Sequence, residues 1–367
     1  MALFMVKTWM GNKATPIYGA EWAGTSDPSW TRTDDAVGFS APNPYYAGMS
    51  TTPSSPFDNI MPWSGMRRVT DASAGELVEI PKFYYKLSQP NGVGLKIQIS
   101  MSQFDGSYVD PMHMDRGDGV GEREHAYIGR YHCSSSNYKS ATGVAPKAYI
   151  TRATARTAIH NLGSNIFQCD FATRFTLWLL YIVEFANWNS QATIGYGGSG
   201  ATNMGYTDSM PYHTGTDKTS RTTYGGTQYR YIEGLWDKIF DWIDGAYYNS
   251  SGLNIIINPN NFSDSTGGAL MPLSNSFDGN PSAFTIYSES NAYPLFAPKS
   301  VVSQQYSLYM CDSWAYIKNN SNPCICGGGF TSDQYIGLFS SSSVESSLSV
   351  GHIGARLMVL PPSRLSA

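Results

Sequence analysis

In the stretch Thr173-Arg174-Phe175-Thr176-Leu177-Trp178-Leu179-Leu180-Tyr181-Ile182-Val183-Glu184-Phe185-Ala186-Asn187, the apolar residues Phe175, Trp178, Leu179, Ile182, Phe185 and Ala186 recur at helical spacing. Leu177, Leu180, Tyr181 and Val183 fill most of the other face, so the pattern predicts a helix buried on nearly all sides, the spine of its domain. Glu184 and Asn187 cut the apolar run well short of membrane-spanning length.

A second helix is expected at 151–161, with a threonine cap and Gly163 beyond its end. Strands are expected at 16–22, 36–39, 76–86, 94–100, 126–131, 252–258, 309–312, 323–326 and 354–360, with Pro81 marking an edge or bulge. The aromatic block 229–245 fits a short helix or a strand. The first seventy residues are rich in Pro, Gly, Ser and Thr, and long loops such as 195–226 make up much of the chain.

The C-terminal region sets small polar residues between apolar, glycine-marked anchors. Cys324-Ile325-Cys326-Gly327-Gly328-Gly329-Phe330 is followed by Thr331-Ser332-Asp333-Gln334-Tyr335-Ile336, by Gly337-Leu338-Phe339, and by a serine-rich run over 340–349. The chain then reads Val350-Gly351-His352-Ile353-Gly354-Ala355-Arg356-Leu357-Met358-Val359-Leu360. A disordered tail has no reason to close on such an apolar run, so the polar run is expected on display, held by the anchors.

Charge is nearly balanced, at 24 basic against 28 acidic residues in 367, which argues against a nucleic-acid partner. The 25 tyrosines and 36 glycines, with many Ser, Thr and Asn, match the palette of recognition surfaces. The N-terminus has no signal-peptide pattern, and five scattered cysteines make no disulfide framework, so the reading is a chain made in a reducing cytosol.

No catalytic motif stands out. Asp237, Asp241 and Asp244 are expected as the solvated edge of a core element, with Lys238 at hand to screen them. Asp115-Arg116-Gly117-Asp118-Gly119 lacks the ligand spacing of a calcium loop and reads as a turn. The six histidines show no metal spacing, and Cys324 and Cys326 read as two inward-facing small residues of one strand. Phosphate and dinucleotide fingerprints are missing from the sequence. Neither catalytic residue, metal nor cofactor is expected.

Several blocks together resemble the C-type-lectin-fold structural proteins of tailed bacteriophages: Thr33-Asp34-Asp35-Ala36-Val37-Gly38, Phe57-Asp58-Asn59-Ile60, Val78-Glu79-Ile80-Pro81-Lys82-Phe83, Leu179 through Phe185 with Asn189 through Gly195, and Ile232-Glu233-Gly234-Leu235-Trp236 with Trp242-Ile243-Asp244-Gly245. Gly328-Gly329-Phe330, Gly337-Leu338-Phe339 and Ile353-Gly354-Ala355-Arg356-Leu357 are similar to the variable region of proteins diversified by retroelements, among them phage tropism determinants. That family usually has Trp where this chain has Phe330. Adenine-directed change of an Asn codon accounts for Thr331, Ser332, Asp333, Tyr335, Ser340, Ser342, Ser343, Ser346, Ser349 and His352, but not for Gln334 or Glu345.

The resemblance implies an α+β chain, with a C-type lectin fold over residues 76–367, long loop insertions, and a small β-rich N-terminal module over 1–75. It implies a variable ligand-binding region at about 312–356, with contacts from Trp314 and Tyr316 besides the variable positions. Phe330, Gly337, Leu338, Phe339, Gly354 and Arg356 would be structural anchors, Arg356 tying the closing strand to a buried carboxylate or to loop carbonyls. The implied role is a phage or prophage receptor-binding protein at the tail-fibre tip: a homotrimer of the virion, made in the bacterial cytoplasm. It would bind a bacterial surface protein or glycan and other tail proteins, with no nucleic acid and no membrane insertion. A structural tail or baseplate component is the alternative. Formylglycine-generating oxidases share the resemblance, but need cysteines after the Gly-Gly block, and residues 331–339 have none.

Overall fold

A computed structural model describes residues 15–198, 203–237, 239–273, 276–287, 293–316, 321–328 and 335–365. Both expected helices form, α1 (Arg152–His160) and α2 (Phe171–Phe185). The Thr151 side chain caps α1 by accepting from the Thr154 amide. Helix α2 begins before the apolar periodicity does, because Asp170 is its cap and accepts from the Thr173 amide at 2.9 Å.

Every residue of α2 is buried, including Thr173, Arg174, Thr176 and Glu184. Burial on all sides leaves no water for these polar groups, so the protein supplies a partner to each residue, although Arg174 Nε has none among the described residues. The Thr176 hydroxyl accepts from the Met112 amide at 3.1 Å and donates to Asp110 at 3.2 Å. The Glu184 carboxylate pairs with Arg230 and accepts from Ser55 at 2.8 Å and Tyr229 at 3.1 Å. At the C-terminal end, Arg32 donates to the carbonyls of Val183 (2.7 Å) and Glu184 (2.6 Å), groups that no helical partner reaches.

Four sheets surround this helix among the described residues. One orders its strands Thr31–Asp34, Ile17–Trp22, Leu95–Ser100, Tyr84–Ser88 and Tyr108–Val109, and α2 packs on the second and third of them. Another runs Ile166–Gln168, Leu357–Val359, His125–Gly129, Gly75–Pro81 and Arg67–Asp71. A small sheet joins Tyr45–Tyr46 to Gly215–Thr216, Thr227–Tyr229 and Ile232–Glu233. The largest has nine strands: Ala269–Pro272, Gly252–Ile255, Phe240–Asn249, Asn322–Gly327, Ser341–Ser343, Trp314–Tyr316, Phe277–Tyr287 and Leu295–Val302, with Ile353–Ala355 parallel to Phe240–Asn249. Alternate residues of this sheet face different cores. Ile243 and its partner Cys324 join the main core around α2, whereas Trp242 and its partner Ile325 join a smaller core with α1 residues Ala155 and Ile159.

The structure corrects several expectations. The described residues are 36% strand and 10% helix, a mostly β chain, so the expected α+β class with its C-type lectin fold does not stand. Residues 36–39 form a turn, Ala36 donating to the Thr33 carbonyl and Phe39 to that of Ala36. Residues 309–312 are no strand, because Tyr309 (φ 57°) and Cys311 (φ 67°) are left-handed. The run 76–86 divides into Gly75–Pro81 and Tyr84–Ser88, which belong to different sheets. The block 229–245, open between helix and strand, contributes strands to two sheets. The boundary expected between residues 75 and 76 falls inside the hairpin of Arg67–Asp71 with Gly75–Pro81, and Ile17–Trp22 pairs with Leu95–Ser100.

Asp237, Asp241 and Asp244 are not a solvated edge; all three are buried. Asp237 accepts from the Tyr206 hydroxyl at 2.7 Å and the Thr227 amide at 2.8 Å. Asp244 takes two bonds from Arg156 (2.6 and 2.8 Å). Asp241 meets His132 at 2.9 Å and Arg356 at 3.3 Å. Lys238 lies outside the described residues.

Arg356 explains why 354–360 is two strands rather than one. It is fully buried where the chain leaves the nine-stranded sheet at Ile353–Ala355 and enters another at Leu357–Val359. Its guanidinium donates to the carbonyls of Gly129 (2.8 Å), Arg130 (3.0 Å), Glu233 (2.8 Å) and Gly234 (3.2 Å), besides Asp241. Burial pushes the Asp241 carboxyl up, but His132 and Arg356 outweigh it and bring it down to about 2. A carboxyl depressed in the folded state stabilises it above the unfolded pKa, and that contribution fades as pH falls from about 4 towards 2. Asp241→Asn is therefore expected to cost about 3–5 kcal/mol at pH 7 by urea denaturation. The gap between variant and parent should narrow at pH 3.

Candidate ligand-binding surface

The segment leading into the serine run is anchored to α2 through its backbone. The Leu338 carbonyl accepts from Arg174 at 3.0 Å and from the Trp178 indole at 2.9 Å. Its amide donates to the Ser190 hydroxyl at 3.0 Å, and the Phe339 amide donates to Asp312 at 2.8 Å. The Phe339 ring sits among Trp178, Tyr181 and Trp188 at centroid distances of 5.7, 5.5 and 5.1 Å. Gly337 has to be glycine for this approach: a Cβ there would lie 2.5 Å from Ser190 Oγ and 2.6 Å from Asp312 Oδ1. Gly354 is equally confined, because a Cβ would collide with the Lys147 carbonyl.

The serine run divides in two. Ser341–Ser343 is an inner strand, antiparallel to Asn322–Gly327 and parallel to Trp314–Tyr316. Ser340, Ser341 and Ser343 are buried, and the Ser341 hydroxyl meets that of Tyr248 at 3.2 Å and the Cys324 thiol at 3.4 Å. Beyond the strand, Val344, Leu348 and Val350 pack on the smaller core, which leaves Glu345, Ser346 and Ser349 exposed and Ser342 and His352 half-buried.

The proposed contacts are therefore not one surface. Trp314 and Tyr316, each 1% exposed, are core: the Trp314 indole donates to the Phe339 carbonyl at 2.8 Å, and Tyr316 stacks on Tyr248 at 5.0 Å and donates to the Asn249 carbonyl at 2.6 Å. With Ser340 and Ser343 they are closed to a ligand in this chain, because a strand between two neighbours buries whatever it carries on the core face. Ser342, Ser346, Ser349 and His352 are interspersed in sequence with Val344, Leu348 and Val350, which pack on the smaller core, while Tyr335 sits at the start of the segment bound to α2. Phe330, Thr331, Ser332, Asp333 and Gln334 lie outside the described residues.

Beside Tyr335 stand residues that the sequence reading passed over. Tyr306 (47% exposed) meets the Tyr335 ring edge-on at 6.1 Å, and Leu308 is 38% exposed. They belong to Ser303-Gln304-Gln305-Tyr306-Ser307-Leu308, whose Tyr, Ser and Gln content was the available signal. The loop is pinned from below. Asn189 donates to the Tyr306 carbonyl at 2.8 Å, the Tyr309 amide to that of Ser26 at 2.7 Å, and the Ser313 amide to that of Tyr335 at 2.8 Å. The left-handed Tyr309 and Cys311 add local strain, of the kind that concentrates where loops are shaped for a task.

All five cysteines are buried and unbridged. Among the described residues no group of three or more His, Cys, Asp or Glu side chains is placed to hold a metal ion. Burial pushes the Asp312 carboxyl up to about 8, against the opposing pull of the Phe339 amide and Arg174. Between about pH 4 and pH 8 the unfolded chain gives up this proton and the folded chain keeps it, so the group lowers stability progressively across that window. Asp312→Asn preserves the acceptor for Phe339 and removes the ionisation. Its Tm relative to the parent should rise from pH 4 to pH 8 in thermal unfolding; a constant difference contradicts the assignment.

Comparison with known proteins adds little. No family model matches the chain, and no curated protein does. Among solved structures, Treponema denticola variable protein 1 aligns over 80% of this chain and 99% of its own, at 12% identity and a TM-score of 0.30. At that score the likeness is a similarity only and supports no conclusion on fold or function.

Proposed function

We propose that this chain is a ligand-binding protein whose recognition surface centres on Tyr306 and Tyr335. We propose further that it acts as a receptor-binding protein at a phage tail-fibre tip, taking a bacterial surface protein or glycan. The observation that carries the reading is the contrast within residues 335–339: Tyr335 is half-buried and edge-on to the exposed Tyr306, while Leu338 and Phe339 are fully buried, Leu338 bonded to α2 through its carbonyl. Tyrosine suits such a place, supplying a large amphipathic area with few torsions to freeze. Exposed Ser303, Gln304, Gln305 and Ser307 surround it with adaptable hydrogen-bonding groups.

The anchors' resemblance to retroelement-diversified variable regions supports the same role. Thr331, Ser332 and Asp333, which precede Tyr335 in sequence, join the proposed contacts, and Ser342, Ser346, Ser349 and His352 form a second variable patch. A homotrimer held by other tail proteins would raise weak single contacts by about 10² to 10⁴ through avidity. The virion is the proposed location.

Adsorption of the labelled protein to a panel of intact bacterial strains tests the reading. In the double variant Tyr306→Ala, Tyr335→Ala, retention on a bound strain should fall about 100-fold, as expected of two central aromatic contacts. Tyr306→Ala alone, at the exposed position, should lower retention with Tm unchanged, since exposed substitutions usually change stability by less than about 0.5 kcal/mol. Unchanged adsorption, or a parallel fall in Tm, sinks the assignment.

A further inference from the structure

Tyr306 and Tyr335 come from separate segments of the chain, yet adjacent residues hold both segments. Asn189 Nδ2 donates to the Tyr306 carbonyl at 2.8 Å, and the Ser190 hydroxyl accepts from the Leu338 amide at 3.0 Å. One dipeptide therefore reaches the backbone of each segment, and the two tyrosine rings meet edge-on at 6.1 Å.

The dipeptide has little freedom of its own. Helix α2 ends at Ala186, left-handed at φ 49°, whose amide donates to the Ile182 carbonyl at 2.8 Å. Trp188 follows, fully buried, its ring 4.8 Å from Trp30 and 5.1 Å from Phe339, its amide donating to the Pro28 carbonyl at 2.9 Å. Asn189 then caps a short helix, α3 (Ser190–Thr193), with Oδ1 accepting from the Ala192 amide at 2.8 Å. Only the oxygen of an amide accepts, so the cap fixes which way the side chain points and turns Nδ2 towards the Tyr306 carbonyl. Other ties of this loop lie to either side: the Gln305 amide donates to Asn280 Oδ1, and the Tyr309 amide to the Ser26 carbonyl at 2.7 Å. The bond from Asn189 is made at Tyr306 itself.

We propose that Asn189 is a positioning residue for ligand recognition, fixing the Tyr306 backbone at a set distance from Tyr335; the inference rests on the tyrosine surface proposed above. Asn189 acts through Tyr306, and its contribution is preorganisation: an aromatic pair held in place beforehand loses less freedom on binding. Asn189→Asp keeps the cap acceptor and replaces the donor by an oxygen that faces the Tyr306 carbonyl oxygen. On a bacterial strain that retains the parent, its adsorption should fall about tenfold with Tm unchanged, the effect of one lost hydrogen bond. Asn189→Ser, which keeps a capping hydroxyl and lacks the amide, should do the same. In the Tyr306→Ala background Asn189→Asp should cause no further fall, whereas losses from two independent contacts would multiply. Without any ligand, hydrogen exchange read by mass spectrometry should be faster over 303–309 in Asn189→Asp and unchanged over α2. Equal retention of parent and variant overturns this inference alone. So does a loss that multiplies with Tyr306→Ala, a parallel fall in Tm, or unchanged exchange over 303–309. Retention of the parent by no strain overturns the tyrosine surface and this inference together.

Discussion

One guanidinium, with no access to solvent, joins three sheets. Arg356 donates to the backbone beside His125–Gly129, to the backbone around Ile232–Glu233 and to Asp241 in Phe240–Asn249, at the residue where the closing chain passes from one sheet to another. A planar group with five donors suits this junction in a way that a lysine does not, since the acceptors are spread around its rim. The carboxylate is held ionised by the cation, and the cation is neutralised by the carboxylate. Either one alone would be an uncompensated buried charge.

The same logic governs α2. A helix with no exposed face can keep polar residues only if the surrounding strands and loops reach in to satisfy them, and here they come from far away in the chain: Ser55 and Arg230 to Glu184, Asp110 to Thr176, Leu338 to Arg174. These bonds also set positions. By accepting from Arg174 and Trp178, the Leu338 carbonyl takes its place from the most buried element of the fold, and Tyr335 stands three residues away from that fixed point.

What was legible in the sequence was local. The 3.6-residue periodicity of 173–187, the Thr151 cap and the alternation in 94–100 depend on neighbours in the chain, and each became the expected element. What was not legible depends on distant partners. Asp241 looks like surface until His132 and Arg356, 109 and 115 residues away, are brought to it. Asp244 meets Arg156 across 88 residues. Trp314 and Tyr316 looked like contact residues because exposed and buried aromatics are written with the same letters, and only pairing with Ser341–Ser343 and Phe277–Tyr287 buries them. The α+β expectation came from the family resemblance rather than from the residues, and the many short strands outweigh the two expected helices.

The inner position of Ser341–Ser343 has a consequence for how this region could evolve. A mutagenic process acting on codons treats 340–349 as one uniform target, but the fold does not. Changes at 340, 341 and 343 meet Tyr248, Cys324 and the strands on either side, so only small side chains survive there, whereas 346 and 349 are open to nearly any residue. Serine at the inner positions then records a steric filter, and serine at the outer ones records only the current state of a free site. Sequence diversity collected across relatives should be bimodal along this run, narrow at 340, 341 and 343 and broad at 346 and 349.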